Sequence, residues 1–111
     1  MIDKSIVTEV DEILDRLVST QYKDQPLAQD WARVAKIQEE TGEAIAELIL
    51  ATGQNPRKPQ DNHARERLLC ELADTAMTAV YAIQHFTKDV AATEEYMTRA
   101  QTKHHSRLTE L

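Results

Sequence analysis

The chain has little of what turn-rich, disulfide-bonded or membrane-spanning proteins need. Its 111 residues include two glycines and three prolines, too few for a protein built from many strands and tight turns. Cys70 is the single cysteine, so no disulfide forms within the chain, which fits a reducing compartment. No apolar run approaches the roughly 20 residues that a membrane span requires. Because residues 1–5 also lack the basic and apolar regions of a signal peptide, we expect a cytoplasmic protein without a membrane partner.

Positively charged and aromatic residues are also scarce. Lys and Arg number 13 against 19 Asp and Glu, which gives a formal net charge of −6. A duplex-binding surface needs a basic stripe, so this balance argues against a nucleic-acid partner. Aromatic residues make up 5% of the chain, so few large anchors are available for a core. A chain of this size builds a modest core by itself, and we expect a partner chain to help complete it.

The abundant residues favour helices. Ala, Leu, Glu, Gln, Lys and Arg dominate the sequence, and apolar residues recur at helical spacing. We therefore predict one all-α domain over residues 1–111, with four helices in a bundle-like arrangement. The predicted helices cover about residues 5–20, 31–52, 63–86 and 90–107.

Cap and turn residues support these boundaries. The stretch 21–29 contains Pro26 and is predicted to be a connection, as is the Pro- and Gly-containing stretch 53–61. Gly53 is placed to end the second helix in a left-handed conformation. Candidate N-caps for the first three helices are Asp3 or Ser5, Asp30, and Asp61 or Asn62.

The third predicted helix carries a narrow polar stripe on an otherwise apolar surface. At 100° per residue, six polar residues fall on this stripe, opposite most of the apolar positions. They are Arg67, Glu71, Asp74, Thr78, Tyr81 and His85. Such a helix is expected to be largely buried, where carboxylates without partners are costly. Arg67 could pair with one of Glu71 and Asp74 at helical spacing, and the rest of the stripe offers modest compensation. A metal ion is the alternative.

The second predicted helix carries four glutamates within about 100° of arc, together with Lys36. They are Glu39, Glu40, Glu43 and Glu47. Taken alone, this is an ordinary solvated face that requires no metal. Helices joined by a short loop usually lie antiparallel and adjacent, so this face could meet Glu71 and Asp74. Four carboxylates would then converge, and ligand sets made only of oxygen favour Mg²⁺, Mn²⁺ or Ca²⁺ over Zn²⁺.

The two acidic segments also form an ordered pair of motifs. The first motif, Glu39-Glu40-Thr41-Gly42-Glu43, is followed after 27 residues by Glu71-Leu72-Ala73-Asp74. This pair resembles the EExxE…ExxD signature of MazG-like nucleotide pyrophosphohydrolases. The lead-in over residues 31–38 and the loop over 52–58 are similar to segments of that family, and the likeness covers about residues 27–86.

The resemblance implies an all-α NTP pyrophosphatase fold and Mg²⁺-dependent hydrolysis of a nucleoside triphosphate to the monophosphate and pyrophosphate. It implies Glu40, Glu43, Glu71 and Asp74 as metal ligands, with Mn²⁺ as an alternative to Mg²⁺. Glu39 would be a further ligand or the residue that orients the attacking water, so Glu39 and Glu40 are the catalytic candidates. The resemblance also implies a homodimer or homotetramer, with active sites completed by a neighbouring subunit.

Side chains outside the motifs are candidates for binding the substrate. A cation near the leaving pyrophosphate would stabilise its charge. The candidate cations are Lys36, Arg57, Lys58, Lys103 and Arg107. Lys36 could instead pair with Glu40, and a basic end of the last helix also favours the helix dipole.

Trp31 and Tyr81 are candidates for contacting the nucleotide, whereas Cys70 has no predicted role in catalysis. Trp31 could stack on the base, although its place on the apolar stripe predicts core packing. Tyr81 could line the nucleotide pocket. Cys70 lies off the acidic stripe and is predicted to pack in the core.

Two alternative functions are consistent with the same residues. A protein with the same fold could hydrolyse phosphoribosyl-ATP or dUTP. A protein of another class could be a non-catalytic helical module that dimerises and binds a protein partner. The Glu71 and Asp74 pair on an apolar helix favours the enzyme, because an interaction module has no need for it.

Overall fold

The computed structural model describes residues 2–21 and 25–111, with side chains over 2–17 and 25–111. The described residues form helices and no strand, which confirms the predicted all-α class. The helices are α1 (Lys4–Gln21), α2 (Pro26–Thr52), α3 (Ala64–Thr87) and α4 (Val90–Thr109). None of these described helices combines the length and the apolar character that crossing a bilayer would require.

Helix α2 begins earlier than the sequence predicted. Its first residue is Pro26 and its N-cap is Gln25, so the predicted start near Trp31 with Asp30 as the cap is wrong. Proline suits a first turn because the amide it lacks has no helical partner there and its φ is already helical. The predicted connection 21–29 is correspondingly shorter, and residues 22–24 within it lie outside the described residues.

Other helix ends follow local side-chain chemistry. Asp3 Oδ1 accepts a hydrogen bond from the amide of Ser5 at 2.9 Å, as expected for a cap of α1. Gly53 ends α2 with a φ of 68°, which confirms the predicted left-handed C-cap. Asp89 caps α4 by accepting the amide of Ala91 at 3.0 Å.

Helices α2 and α3 form the central antiparallel pair, and α1 packs against both. Helix α4 contacts α3 and α1, but within the described part of the chain it does not contact α2. A buried hydrogen bond from Thr93 Oγ1 to Gln84 Oε1, at 2.7 Å, fastens α4 to the end of α3. Both acidic motifs therefore lie in the α2–α3 pair, away from α4.

The apolar core of the single chain is small. The buried apolar residues among those described are Val7, Ala44, Ala64, Val80 and Ala82. Helix α2 turns its glutamate-bearing side toward α3, so its apolar stripe is left on the outside. Trp31 is 70% exposed and Cys70 is exposed, so the predicted core packing of both residues is wrong for the single chain.

The fold is open for its length. Its radius of gyration is 17.0 Å, against about 13 Å for a compact domain of this length. Its accessible surface is 8377 Å², against about 6,200 Å² for a compact monomer of the same mass. The single chain thus leaves uncovered about 2,000 Å² more surface than a compact monomer does.

Candidate metal centre

Charged side chains occupy three successive levels along the facing sides of α2 and α3. Farthest from the α2–α3 loop lies the distal network, which also includes α1. The acidic cluster lies in the middle, and the loop-side clasp lies nearest the loop. The three levels differ in how their carboxylates are compensated, and that difference identifies the candidate site.

The distal network joins α1 to both central helices. It consists of Asp11, Asp15, Asp30, Arg33, His85 and Lys88. Arg33 Nη2 donates to Asp11 Oδ1 and to the carbonyl oxygen of Tyr81, each at 2.8 Å. Lys88 Nζ pairs with Asp11 Oδ2 at 2.8 Å and also with Asp15. The side chains of Arg33 and Asp11 are 6% and 3% exposed, so this ion pair is buried.

His85 lies between two carboxylates of the same network. Its Nδ1 is 3.2 Å from Asp15 Oδ1, and its Nε2 is 2.7 Å from Asp30 Oδ1. Burial alone would raise the pKa of Asp15, but the ion pair with Lys88 and the hydrogen bond with His85 outweigh it and lower that pKa. Asp11, Asp15 and His85 are close enough to hold a metal ion, but Arg33 and Lys88 already occupy their carboxylates. The distal network is therefore a neutralised junction between helices.

The acidic cluster consists of Glu40, Glu43 and Glu71. One carboxylate oxygen from each residue lies within 4.8 Å of the other two. Glu40 and Glu43 lie on α2, one turn apart, and Glu71 faces them from α3. Because the two helices run antiparallel, their glutamate-bearing stripes meet at this level. The side chain of Glu40 is 13% exposed, Glu71 is half-buried and Glu43 is exposed, so the cluster lies at the edge of the α2–α3 interface.

The Glu71 carboxyl has no cation paired with it among the described residues. Its Oε2 atom is buried and has no hydrogen-bond partner among the described residues. Partial burial raises the pKa of Glu71. A hydrogen bond that its protonated form shares with the Glu43 carboxyl, and repulsion from Glu43, Asp74 and Glu40, raise it further. A buried acceptor without a donor is costly unless an ion or a water molecule satisfies it.

Lys36 and Glu39 lie at the rim of the acidic cluster. Lys36 Nζ is 3.1 Å from Glu39 Oε1 and 3.5 Å from Glu40 Oε1, so the anticipated pairing with Glu40 is present. The hydrogen bond to Glu39 raises the pKa of Lys36. The Glu39 side chain is 59% exposed to solvent. Lys36 thus pairs with Glu39 and Glu40 at the rim, and no cation in the described part of the chain pairs with Glu71.

Asp74 is the fourth predicted metal ligand, and it is exposed one turn beyond Glu71 on α3. Its carboxylate is not among the oxygens that meet within 4.8 Å. It is close enough to add to the repulsion that raises the pKa of Glu71. The acidic cluster therefore offers three converging carboxylates with a fourth beside them.

This set of donors fits a hard divalent cation. Every donor is a carboxylate oxygen, with no thiolate or imidazole among them, and such sets favour Mg²⁺, Mn²⁺ or Ca²⁺. The distal network shows that this fold neutralises buried acids with Arg33 and Lys88 where the sequence provides cations. The unpartnered Glu71 Oε2 shows that no such cation is provided at the middle level by the described residues.

The loop-side clasp consists of Glu47, Asp61 and Arg67. Arg67 Nε donates to Glu47 Oε2 at 2.9 Å, and its Nη2 donates to Asp61 Oδ2 at 2.8 Å. Asp61 Oδ1 accepts the amide of His63 at 2.8 Å, although His63 rather than Asp61 occupies the N-cap of α3. The clasp ties α2, the loop and α3 together next to the acidic cluster.

Other predicted site residues are not brought to the acidic cluster within the chain. Arg57 and Lys58 are exposed on the loop, where the amide of Arg57 donates to Asn55 Oδ1 at 2.9 Å. Lys103 and Arg107 are exposed on α4, which does not contact α2 over the described ranges.

The two aromatic candidates lie toward the distal end of the helix pair. Tyr81 is half-buried on α3, and its backbone oxygen accepts from Arg33. Trp31 lines an open apolar depression with Leu27, Ala32 and the start of α2.

The resemblance to MazG-like enzymes rests on the two acidic motifs. No family model, curated protein or solved structure matches this chain. The geometry of the acidic cluster and the order of its residues therefore carry the assignment of function.

The distal network was missed by reasoning from the sequence, which gave no role to Arg33 or His85. One signal was present. Arg33 lies at helical spacing with Glu40, Ala44 and Glu47, on the side of α2 that faces α3. A cation in register with buried positions predicts buried acids opposite it, although not which ones.

Proposed function

We propose that the chain is a Mg²⁺-dependent nucleoside triphosphate pyrophosphohydrolase, which releases a nucleoside monophosphate and pyrophosphate. The observation that carries this proposal is the acidic cluster, with three convergent carboxylates and the buried, unpartnered Oε2 of Glu71 among the described residues. A bare cluster would repel an anionic triphosphate, whereas a cluster loaded with divalent cations attracts it. The EExxE…ExxD order of the same residues supports the assignment.

Glu40, Glu43 and Glu71 would hold the cation, with Asp74 as the adjoining ligand. When bound, Mg²⁺ or Mn²⁺ supplies neutralisation of the phosphate oxygens and stabilises the charge that builds up during phosphoryl transfer. Water attacks the α phosphorus, and the bond from this phosphorus to the α–β bridging oxygen breaks. The electron pair of that bond leaves with pyrophosphate.

Glu39 orients the attacking water and accepts its proton in this mechanism. It adjoins Glu40 in the chain, and its carboxylate is largely open to solvent. Lys36 holds the Glu39 carboxylate at 3.1 Å and so restrains its position. Positioning of this kind is the protein's main contribution to phosphoryl transfer.

The test is hydrolysis of a panel of canonical and modified NTPs and dNTPs with Mg²⁺, measuring pyrophosphate and orthophosphate separately. We expect pyrophosphate with the matching monophosphate, and a loss of at least about 100-fold in Glu40→Gln. Glu66→Gln, at an exposed acid of α3, is the matched control and should keep full activity.

The products decide among the alternatives. Adding dUTP and phosphoribosyl-ATP to the panel tests the two other substrates considered for this fold. Release of orthophosphate instead of pyrophosphate would refute cleavage between the α and β phosphates. A folded protein that turns over none of these compounds, and that no divalent cation stabilises, would favour the interaction module.

We also propose that the protein works as a homodimer or homotetramer. The outer apolar face of α2 consists of Trp31, Val34, Ile45 and Leu48, which are 45–70% exposed. The excess accessible surface of about 2,000 Å² is of the size that permanent interfaces bury. A second copy is the simplest partner, since one apolar face can pair with itself about a two-fold axis.

Placing a charge on this face should dissociate the oligomer. For Ile45→Glu we expect the dissociation constant to rise by at least about 100-fold, because an unpaired carboxylate would be buried. Sedimentation equilibrium should give a multiple of 12.6 kDa for the wild type and a mass near 12.6 kDa for the variant. Thr102→Glu adds the same charge at an exposed position on α4, which does not contact α2 over the described ranges, and should not change the mass. A wild type that stays monomeric at all concentrations would contradict the proposal.

A further inference from the structure

We propose that Arg67 is part of the substrate site and binds the pyrophosphate end of the nucleotide. This inference rests on the proposed function, and it adds a residue and a direction for the substrate along the α2–α3 pair. It follows from the position of Arg67, from its free donors and from the unequal accessibility of the cations on either side of the acidic cluster.

Arg67 is close to the acidic cluster. It precedes Glu71 by four residues on the same side of α3, so their Cα atoms are about 6 Å apart along the helix axis. Its partner Glu47 follows Glu43 by one turn on the facing side of α2. Arg67 is therefore the cation of the level adjoining the cluster, and its side chain is long enough to reach a phosphate next to a metal held by Glu71.

The guanidinium group keeps donors for a ligand. Its Nε and Nη2 bind Glu47 and Asp61, whereas its Nη1 has no acceptor among the described residues. The side chain is 44% exposed, so a solvent-borne anion can approach it. Two carboxylates hold the group in place, and a guanidinium fixed in this way presents its remaining N–H groups in a defined direction. Such a planar fork suits phosphate oxygens.

The two ends of the acidic cluster differ in character. On the distal side, Arg33 is 6% exposed and Lys88 is bonded to two aspartates, so neither cation is open to a ligand. Lys36 at the rim is a point charge without a planar fork of donors. On the loop side, Arg67 is 44% exposed and keeps Nη1 without an acceptor among the described residues. This difference directs the β and γ phosphates toward the loop, with the leaving pyrophosphate at Arg67.

Calorimetric binding of inorganic pyrophosphate in the presence of Mg²⁺ tests this assignment without turnover. We expect Arg67→Gln to weaken pyrophosphate binding by about 10- to 100-fold, the usual loss for hydrogen bonds to a charged group. Affinity for nucleoside monophosphate and for Mn²⁺ alone should stay unchanged. Arg67→Lys should fall between the wild type and Arg67→Gln, because it keeps the charge and loses the fork.

Two controls separate ligand binding from support of the fold. Asp61→Asn keeps an oxygen that can accept from Arg67 Nη2 and removes one negative charge, so it should bind pyrophosphate at least as tightly as the wild type. Arg65→Gln removes an exposed cation from the same helix and should have no effect. Equal weakening by Asp61→Asn and Arg67→Gln, or a parallel loss of Mn²⁺ affinity in Arg67→Gln, would overturn the proposal in favour of a structural role.

The same data distinguish this inference from the proposed function. If the wild type hydrolyses NTPs and Arg67→Gln binds pyrophosphate normally, the role of Arg67 is refuted and the enzyme assignment stands. If pyrophosphate binds in an Arg67-dependent way but no nucleotide is hydrolysed, the anion subsite is supported and the hydrolase assignment is refuted. A wild type that binds Mn²⁺ but no pyrophosphate overturns the role of Arg67.

Discussion

Replacing Glu71 with Gln should abolish hydrolysis and, in the absence of metal, make the protein more stable. The amide removes the charge that Oε2 carries into a buried position without a partner among the described residues. It also removes repulsion with Glu43, Asp74 and Glu40, which raises the pKa of Glu71 in the wild type. We expect activity to fall by at least about 100-fold, since a carboxylate ligand is lost. Thermal melting in EDTA measures stability, with Glu66→Gln as the control.

The Glu71 carboxylate should also affect how the stability of the metal-free protein depends on pH. Because the pKa of Glu71 is raised above its ordinary value of 4.5, the folded state binds more protons than the unfolded state just above that value. The stability of the metal-free wild type relative to Glu71→Gln should therefore rise as the pH falls through this window. Near-normal turnover in Glu71→Gln, or a metal-free variant less stable than the wild type, would refute the role given to Glu71.

Replacing Arg33 with Met should cost about 3–5 kcal/mol of unfolding free energy, the usual loss when one partner of a buried ion pair is removed. Asp11 is 3% exposed and would lose its bond from Arg33 Nη2, as would the carbonyl oxygen of Tyr81. Lys88 would still pair with Asp11 but cannot reproduce the guanidinium bonds to Tyr81 and Asp15. Denaturant unfolding at fixed protein concentration measures the loss.

A double variant tests the physical reason for this loss. Arg33→Met with Asp11→Leu leaves no buried carboxylate short of a partner, so it should be less destabilised than Arg33→Met alone. Arg65→Met, at an exposed arginine of α3, should change the free energy by less than about 0.5 kcal/mol. Equal losses in the single and double variants would contradict a buried-charge mechanism.

Helical periodicity predicted most of the secondary structure and the convergence of four carboxylates, of which three meet and Asp74 lies beside them. The spacing of Glu40, Glu43 and Glu71 places them on facing sides of two helices, and a short loop makes those helices antiparallel. Gly53 ended α2 as predicted, because its missing Cβ permits the left-handed conformation. Pro26 was misjudged, because proline both breaks helices and begins them.

Periodicity identifies an apolar face but not what covers it. The faces that carry Trp31 and Cys70 look like core positions in the sequence, yet no helix of the described chain packs over them. The distal network could not be predicted from the sequence, for a different reason. Its ion pairs join residues far apart in the chain, such as Arg33 with Asp11, 22 positions away, and Lys88 with Asp11, 77 positions away. Such pairs depend on how three helices pack together.

Calorimetric titration of the metal-free protein with Mn²⁺ tests the central claim, that the acidic cluster is a divalent-metal site. We expect saturable binding to the wild type and to Glu66→Gln, and no measurable binding to Glu71→Gln at the same concentrations. Binding that is equal in the wild type and Glu71→Gln, or absent from the wild type, would contradict the metal site and the hydrolase proposed from it.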